Sequence, residues 1–309
     1  MKKVLVTGCA GFIGSNIVER LIETEFDVLG IDDLSTGKKD NIKDIDFEFI
    51  QGSVNDKTLL METLKNVDYI LHQAAIPSVP RSIDDPIYSN IANIDGTLNL
   101  LVCAKDSGIK RVVYASSSSV YGNSEKLPKK ENMKINPLSP YALTKYAGEA
   151  YCKLFNDIYG LETISLRYFN VFGKKQDPSS QYSAVIPKFI KLMLSGKSPV
   201  IFGDGLTSRD FSYIENNIEA NILAMKAPKK ACGKVYNIAC GERTNLNELV
   251  EYINTILGTD IKPIYDKERP GDVRHSLADI SLARKYLGYE PKVYFKEGLK
   301  KTLKWYKNE

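Results

Sequence analysis

Val4-Leu5-Val6-Thr7-Gly8-Cys9-Ala10-Gly11-Phe12-Ile13-Gly14 decides the fold. A short β-branched run ends in glycines spaced Gly-x-x-Gly-x-x-Gly, and a helical pattern follows from Ser15 to Leu21. This reads as strand, tight turn and helix. Glycines there let the chain turn sharply and let a pyrophosphate reach main-chain N–H groups at the positive end of a helix. A second apolar run, Val28-Leu29-Gly30-Ile31, ends in Asp32. An acidic residue roughly 20 positions after the glycines, closing the second strand, accepts both hydroxyls of an adenosine ribose. It also repels a 2′-phosphate, so the pattern favours NAD over NADP.

The same alternation continues outward. Runs at 3–7, 27–31, 46–50, 68–72, 111–116 and 162–168 read as strands, each followed by a helix or loop. Such alternation predicts an α/β fold: a doubly wound, Rossmann-type parallel sheet with helices on both faces. Beyond Asn170 glycines and prolines are commoner, and helices are expected at 183–195, 215–227, 245–257, 279–287 and 295–308. The expected organisation is a dinucleotide-binding domain over 1–169 and a smaller mixed α/β substrate domain over 170–309. Val235-Tyr236-Asn237-Ile238, near 234–239, is a candidate strand returning to the first sheet.

Bulk properties exclude several classes. The chain has 309 residues, and its 43% hydrophobic and 26% charged content is that of a globular protein. A net charge of +4 is spread over lysine pairs such as Lys38-Lys39 and Lys129-Lys130, which reads as solvated surface and not as a nucleic-acid footprint. Five cysteines lack Cys-x-x-Cys spacing and only two histidines exist, so no metal site is expected. No apolar run reaches the length of a membrane span, and the chain enters its first strand at once. The expected setting is the cytoplasm, with reduced thiols.

Two segments carry chemistry. The strand at 111–116 runs into Ser116-Ser117-Ser118-Ser119, placing hydroxyls at its carboxyl end, where they would face the cofactor crevice. Farther on, Ser139 is a good helix N-cap and Pro140 a good first helical residue. Tyr141 and Lys145 then fall four apart on one helix face. An ammonium beside a phenol favours the phenolate, and so does an oxidised nicotinamide. Together they are expected to bring the Tyr141 pKa from about 10 towards neutrality and make a general base. Ser117 or Ser118 would relay the proton.

With Gly8, Gly11, Gly14, Asp32, the serine strand and the Tyr141/Lys145 pair, the chain resembles the extended short-chain dehydrogenase/reductases. The resemblance narrows through Arg167-Tyr168-Phe169-Asn170-Val171-Phe172-Gly173, Gly203-Asp204-Gly205, Ser208-Arg209-Asp210-Phe211 and Arg269-Pro270-Gly271-Asp272-Val273-Arg274-His275-Ser276. These are similar, in order and over the whole chain, to the motifs of nucleotide-sugar 4-epimerases, most of all the UDP-N-acetylglucosamine 4-epimerases.

That resemblance implies roles. NAD would lie along Gly8, Gly11, Phe12, Ile13, Gly14, Asp32, Asp33, Ser53, Val54, Gln73, Ala74, Ala75, Tyr141, Lys145 and Tyr168. The 170–309 part becomes a nucleotide-sugar-binding domain. Asn170 would bind the diphosphate, bracketed by Arg209 and Arg269. Asp272 would hold a uridine ribose hydroxyl, with Val200 and Phe202 against uracil. Ser78, Ser117, Val185 and Ser276 complete the substrate set, Ser276 walling the hexose near C2. Ser53 stands where the family usually carries an Asp that reaches adenine. His72 reads as a buried, hydrogen-bonded strand residue.

The serine run separates related chemistries. Sugar-nucleotide 4,6-dehydratases carry Asp-Glu where Ser118-Ser119 stand, and UDP-glucuronate decarboxylases carry Glu at Ser119. The resemblance therefore implies oxidation and return of hydride at C4 of UDP-hexoses and UDP-N-acetylhexosamines, by a homodimer. UDP-glucuronate 4-epimerase is the alternative within the family. A non-catalytic dinucleotide sensor is the alternative outside it, and such a protein would have lost Tyr141 or Lys145.

Overall fold

The computed structural model describes residues 1–178, 184–268 and 273–308. The strand-like runs become β1 (Lys2–Thr7), β2 (Phe26–Asp32), β3 (Glu48–Gln51), β4 (Tyr69–His72), β5 (Arg111–Ser117) and β6 (Glu162–Tyr168). Between them lie α1 (Phe12–Ile22), α2 (Lys57–Thr63), α3 (Val79–Asp84), α4 (Pro86–Asn90), α5 (Gly96–Asp106) and α6 (Pro140–Tyr159). Beyond β6 come β7 (Val171–Phe172), α7 (Val185–Leu194), β8 (Val200–Phe202), β9 (Ser208–Arg209), β10 (Ser212–Tyr213) and α8 (Ile214–Lys226). The chain continues through β11 (Lys234–Ile238), β12 (Thr244–Asn245), α9 (Leu246–Leu257), β13 (Ile264–Asp266), α10 (Ser281–Leu287) and α11 (Phe295–Asn308).

Seven strands form one parallel sheet in the order β11-β6-β5-β4-β1-β2-β3. The fold is a Rossmann-type α/β sandwich. Alternate side chains of each strand go to opposite faces. Val4, Val6, Leu71 and Val113 join Ile17 of α1 and Ile218 of α8 in one core. Leu5, Ile70 and Val112 join Leu60 of α2, Leu100 of α5 and Phe155 of α6 in the other. Burial on both faces explains why these strands read as unbroken apolar runs. β11 lies beside β6, with Lys234 opposite Ile164 and Ile238 opposite Tyr168. The second half of the chain thus completes the sheet begun by the first. The small sheets β10-β7, β12-β9 and β13-β8 belong to the covering region.

The strand order switches direction at β1, whose neighbours are β2 and β4. The loops after β1 and β4 diverge there and open a crevice at the carboxyl ends of the strands. One element departs from helical periodicity. The chain from Pro86 to Asp106 runs through α4, a five-residue π-helical turn (Ile91–Asp95) and then α5. Asn93 in that turn is fully buried. Its side chain accepts from the Ile76 N–H at 2.7 Å and donates to the Ile76 carbonyl at 3.3 Å and to Thr144 Oγ1 at 3.0 Å. A π turn re-aims one side chain without ending the helix. Here it ties the loop after β4 to the helix that carries Tyr141.

Candidate active site

The crevice is a cleft of about 950 Å³. All the residues assigned above to NAD line it, from Gly8 and Asp32 to Tyr141, Lys145 and Tyr168. Gly8 has φ +67°, and a Cβ there would lie 2.7 Å from the Ala74 nitrogen. A Cβ on Gly14 would lie 2.0 Å from the Gly8 carbonyl oxygen. The turn is therefore closed to side chains at both points. Gly11 caps α1 without a side-chain acceptor, and the first turn holds no acidic residue. The N–H groups of that turn stay open to an anion, so the cradle fits a dinucleotide pyrophosphate.

Asp32 is buried at the end of β2, and burial pushes its carboxyl above the usual range. Its two oxygens accept the N–H groups of Ala10 at 2.9 Å and Leu34 at 2.8 Å, so it also shapes the glycine turn. Ser53 Oγ is engaged in its own turn, accepting from Asn55 N–H at 3.2 Å. A strap that sequence patterns do not reveal crosses nearby. Lys38 pairs with Asp177 at 2.8 Å, and Lys175 Nζ donates to the Asn41 carbonyl at 2.8 Å. All four residues line the cleft, as does Trp305 of α11. These partners lie more than 130 positions apart in the chain, beyond the reach of any local signal.

Tyr141 and Lys145 project from the first turns of α6. Ser139 caps that helix by accepting from Ala142 N–H at 3.1 Å, and Ser82 Oγ accepts from Tyr141 N–H at 2.9 Å. Lys145 Nζ donates to the Ala115 carbonyl at 2.8 Å and stands 6.0 Å from the centre of the Tyr141 ring. Burial lowers the Lys145 pKa to about 8. In the protein alone the Tyr141 pKa is not depressed. Burial raises the phenol above 10, and the hydrogen bond with Ser117 only partly opposes the shift. The ammonium donates to a backbone carbonyl and keeps its charge, and a bound oxidised nicotinamide would add the further positive charge that reverses the balance.

The serines separate. Ser117 Oγ accepts from Ser119 N–H at 3.2 Å, leaving its own O–H for Tyr141. Ser118 begins the 3₁₀ turn Ser118–Tyr121. Ser116 was expected to face the crevice with its hydroxyl, but that group donates to Glu149 at 2.5 Å instead. His72 is buried between Thr7 Oγ1 (2.7 Å from Nδ1) and Thr97 Oγ1 (3.0 Å from Nε2). Burial holds its pKa down to about 3, so the ring is neutral. Thr97 gives its own proton to the Asn93 carbonyl, so it accepts from His72, and the tautomer carries its proton on Nε2.

None of the described residues assigned to substrate lines this cleft itself, and Ser117 adjoins it through Tyr141. Asn170 holds φ +29° between β6 and β7. Arg209 Nη1 donates to the Ser208 carbonyl at 3.0 Å and to the Arg274 carbonyl at 3.3 Å. Ser276 is buried, and its N–H donates to the Ser208 carbonyl at 3.0 Å. Asp210 accepts from the N–H groups of Cys240, Gly241 and Ala278 and so ties the segment between β9 and β10 to the one after β11 and the one before α10. Val200 and Phe202 are half-buried on β8, and Val185 opens α7. Ser78 Oγ serves as the N-cap of α3, accepting from Arg81 N–H at 3.2 Å, which gives it a local structural task. Arg269 and Asp272 lie outside the described residues.

The model of the NAD dependent epimerase/dehydratase family matches residues 4–239. The chain belongs to this family. Its structure superposes on a UDP-N-acetylglucosamine 4-epimerase from Methanobrevibacter ruminantium, in complex with UDP-N-acetylmuramic acid, with a TM-score of 0.95, 44% identity and coverage of 99% and 98% of the two chains. It is 36% identical to the UDP-glucose 4-epimerase of Mycolicibacterium smegmatis over 99% of both chains. A UDP-glucuronic acid 4-epimerase from Bacillus cereus, in complex with UDP-glucuronic acid and NAD, has a TM-score of 0.92, 33% identity and coverage of 99% of both chains.

Family membership gives the cleft its cofactor, NAD. Hydrogen bonds to a charged group contribute about 1.5–3 kcal/mol, so Asp32→Ala is expected to weaken NAD binding by about 10–100-fold. Part of that loss comes from loosening the turn at Ala10. Preference for NAD over NADP should fall with it, because the carboxylate that repels a 2′-phosphate is gone. Fluorescence titration with both cofactors measures this, and an unchanged preference would remove Asp32 from the ribose site.

Proposed function

We propose that this NAD-dependent UDP-sugar 4-epimerase interconverts UDP-N-acetylglucosamine and UDP-N-acetylgalactosamine, and also accepts UDP-glucose and UDP-galactose. The observation that carries the sugar assignment is Ser276. The family resemblance puts this position on the wall near the C2 substituent, where epimerases restricted to plain sugars tend to carry Tyr. A serine leaves room for an N-acetyl group, and a roomy pocket rejects a smaller substituent only weakly.

The reaction follows from the cleft. NAD held in this cleft would supply a reversible hydride acceptor for C4 of the hexose. Tyr141 receives the O4 proton, directly or through Ser117. Lys145 holds the end of β5 and supplies positive charge beside the phenol. The 4-keto sugar turns about its diphosphate link and presents its other face. Tyr141 then returns the proton and C4 is inverted. Such a turn needs a firm hold on UDP and a loose one on the hexose. Arg209, Asn170 and, by resemblance, Arg269 and Asp272 supply the hold.

Two further assignments belong to this reading. Helices α3, α4 and α6 expose Ile83, Ile87, Leu143, Leu154 and Ile158, with Ile87 73% accessible. An apolar face of this kind suits a second copy of the chain, and sedimentation should give twice the monomer mass. All five cysteines are free thiols, which suits a reducing cytoplasm. Among the described residues no helix is long and apolar enough to cross a membrane.

A coupled assay on UDP-N-acetylglucosamine, UDP-glucose and UDP-glucuronate tests the sugar assignment. The first two should turn over and the third should not. Turnover of UDP-glucuronate alone would replace this reading by the alternative within the family.

A further inference from the structure

Tyr141, Lys145 and Glu149 follow one another at intervals of four on α6, and so share one face of the helix. Lys145 and Glu149 are each 4% accessible. They grip consecutive residues of β5. Lys145 Nζ donates to the Ala115 carbonyl at 2.8 Å, and Glu149 Oε1 accepts from Ser116 Oγ at 2.5 Å. The next residue is Ser117, which meets the Tyr141 phenol.

Arg167 fixes Glu149 from a third element. Its Nε and Nη2 donate to the two carboxylate oxygens at 2.8 and 2.7 Å. Arg167 lies on β6, directly across from Ser116. Its guanidinium stacks over Tyr121, 4.7 Å from the ring centre. A buried ion pair is often no more stabilising than apolar side chains of the same volume, so stability alone is a poor reason for this one.

We propose that Glu149 is a positioning residue for proton transfer, holding Ser116, and through it Ser117, in register with Lys145 and Tyr141. The proposal rests on Tyr141 as the group that moves the O4 proton. The carboxylate has a second effect along the same face. Burial drives the Lys145 pKa down, and Cys152 and Glu149 oppose it. The Cys152 thiol is itself pushed up to about 12 and is uncharged at neutral pH. Tyr114 of β5, with its ring 5.2 Å from Nζ, and Tyr141 both have raised pKa values and are neutral, and so is His72 of β4. Arg167 reaches the helix only through the carboxylate that it pairs with. Glu149 is thus the negative charge that keeps the Lys145 ammonium protonated.

The test is the pH profile of kcat for Glu149→Gln, Glu149→Asp, Ser116→Ala and Tyr141→Phe, each with NAD supplied. The parent enzyme should lose activity above about pH 8, as Lys145 deprotonates. In Glu149→Gln that limb should move down by about one unit, because a neighbouring opposite charge is worth one to three units. Its kcat at pH 8 should fall about fivefold, with KM for the UDP-sugar changed less than twofold, and Glu149→Asp should restore most of both. Ser116→Ala keeps the ion pair and should lower kcat about threefold without moving the limb.

A folded Glu149→Gln enzyme with an unmoved limb and parental kcat overturns the proposal. So does a loss confined to thermal stability or KM. If Glu149→Gln does not fold, Ser116→Ala decides, and a parental kcat there overturns the proposal. An active Tyr141→Phe enzyme brings down the reading of the base. An inactive one beside an unmoved Glu149→Gln limb overturns this proposal alone.

Discussion

Tyr141→Phe is expected to lower turnover about 10²–10⁴-fold, the usual worth of a general acid–base group. Folding and NAD binding should survive. The phenylalanine ring keeps the packing of a half-buried tyrosine, and α6 is capped by Ser139 and Ser82, not by the phenol. What disappears is the hydroxyl that shares a hydrogen bond with Ser117 and, in the proposed reaction, would receive the O4 proton. In the protein alone burial holds this phenol protonated, so the base is made only when the positive cofactor joins the Lys145 ammonium. Ser117→Ala should be milder, since water can take the place of a relay. Steady-state kinetics on the purified variant checks this, and a loss under threefold would remove Tyr141 from the role.

Ser276→Tyr is expected to abolish turnover of N-acetylated sugars while sparing UDP-glucose and UDP-galactose. The segment that carries it is rigidly placed. The Ser276 N–H is bound to the Ser208 carbonyl, His275 Nδ1 is 2.8 Å from Ser208 Oγ, and the Ala278 N–H is held by buried Asp210. A phenol added to a wall fixed at these points cannot be absorbed by backbone shift, so on the proposed reading it would fill the space left for an acetyl group. The ratio of kcat/KM for the acetylated and plain substrates measures the effect. An unchanged ratio would move sugar selection away from this wall.

Much of this architecture was legible because single local patterns encode it. The glycine turn and the Tyr141/Lys145 spacing each span only a few residues, and Asp32 closes the very next strand-like run. The β11 run was equally plain, because Val235 to Ile238 reads as a strand in any setting. The features that escaped are set by distant partners. Glu149 looks like an ordinary helix acid until Arg167 and Ser116 meet it. Lys38 gives no hint of Asp177. The π turn at Asn93 hides in an otherwise helical pattern, since one inserted residue leaves the apolar period nearly intact. The raised Tyr141 pKa of the protein alone was not legible for a physical reason: spacing reveals the neighbouring ammonium, but not the burial that opposes it.

The most direct measurement is the fate of the C4 hydrogen. UDP-N-acetylglucosamine is incubated with the enzyme and NAD in deuterated water, and the sugars are followed by proton NMR. Hydride passed to the cofactor and back within one closed cleft predicts UDP-N-acetylgalactosamine that retains protium at C4. Product carrying deuterium at C4, or no epimerised product at all, would contradict the account.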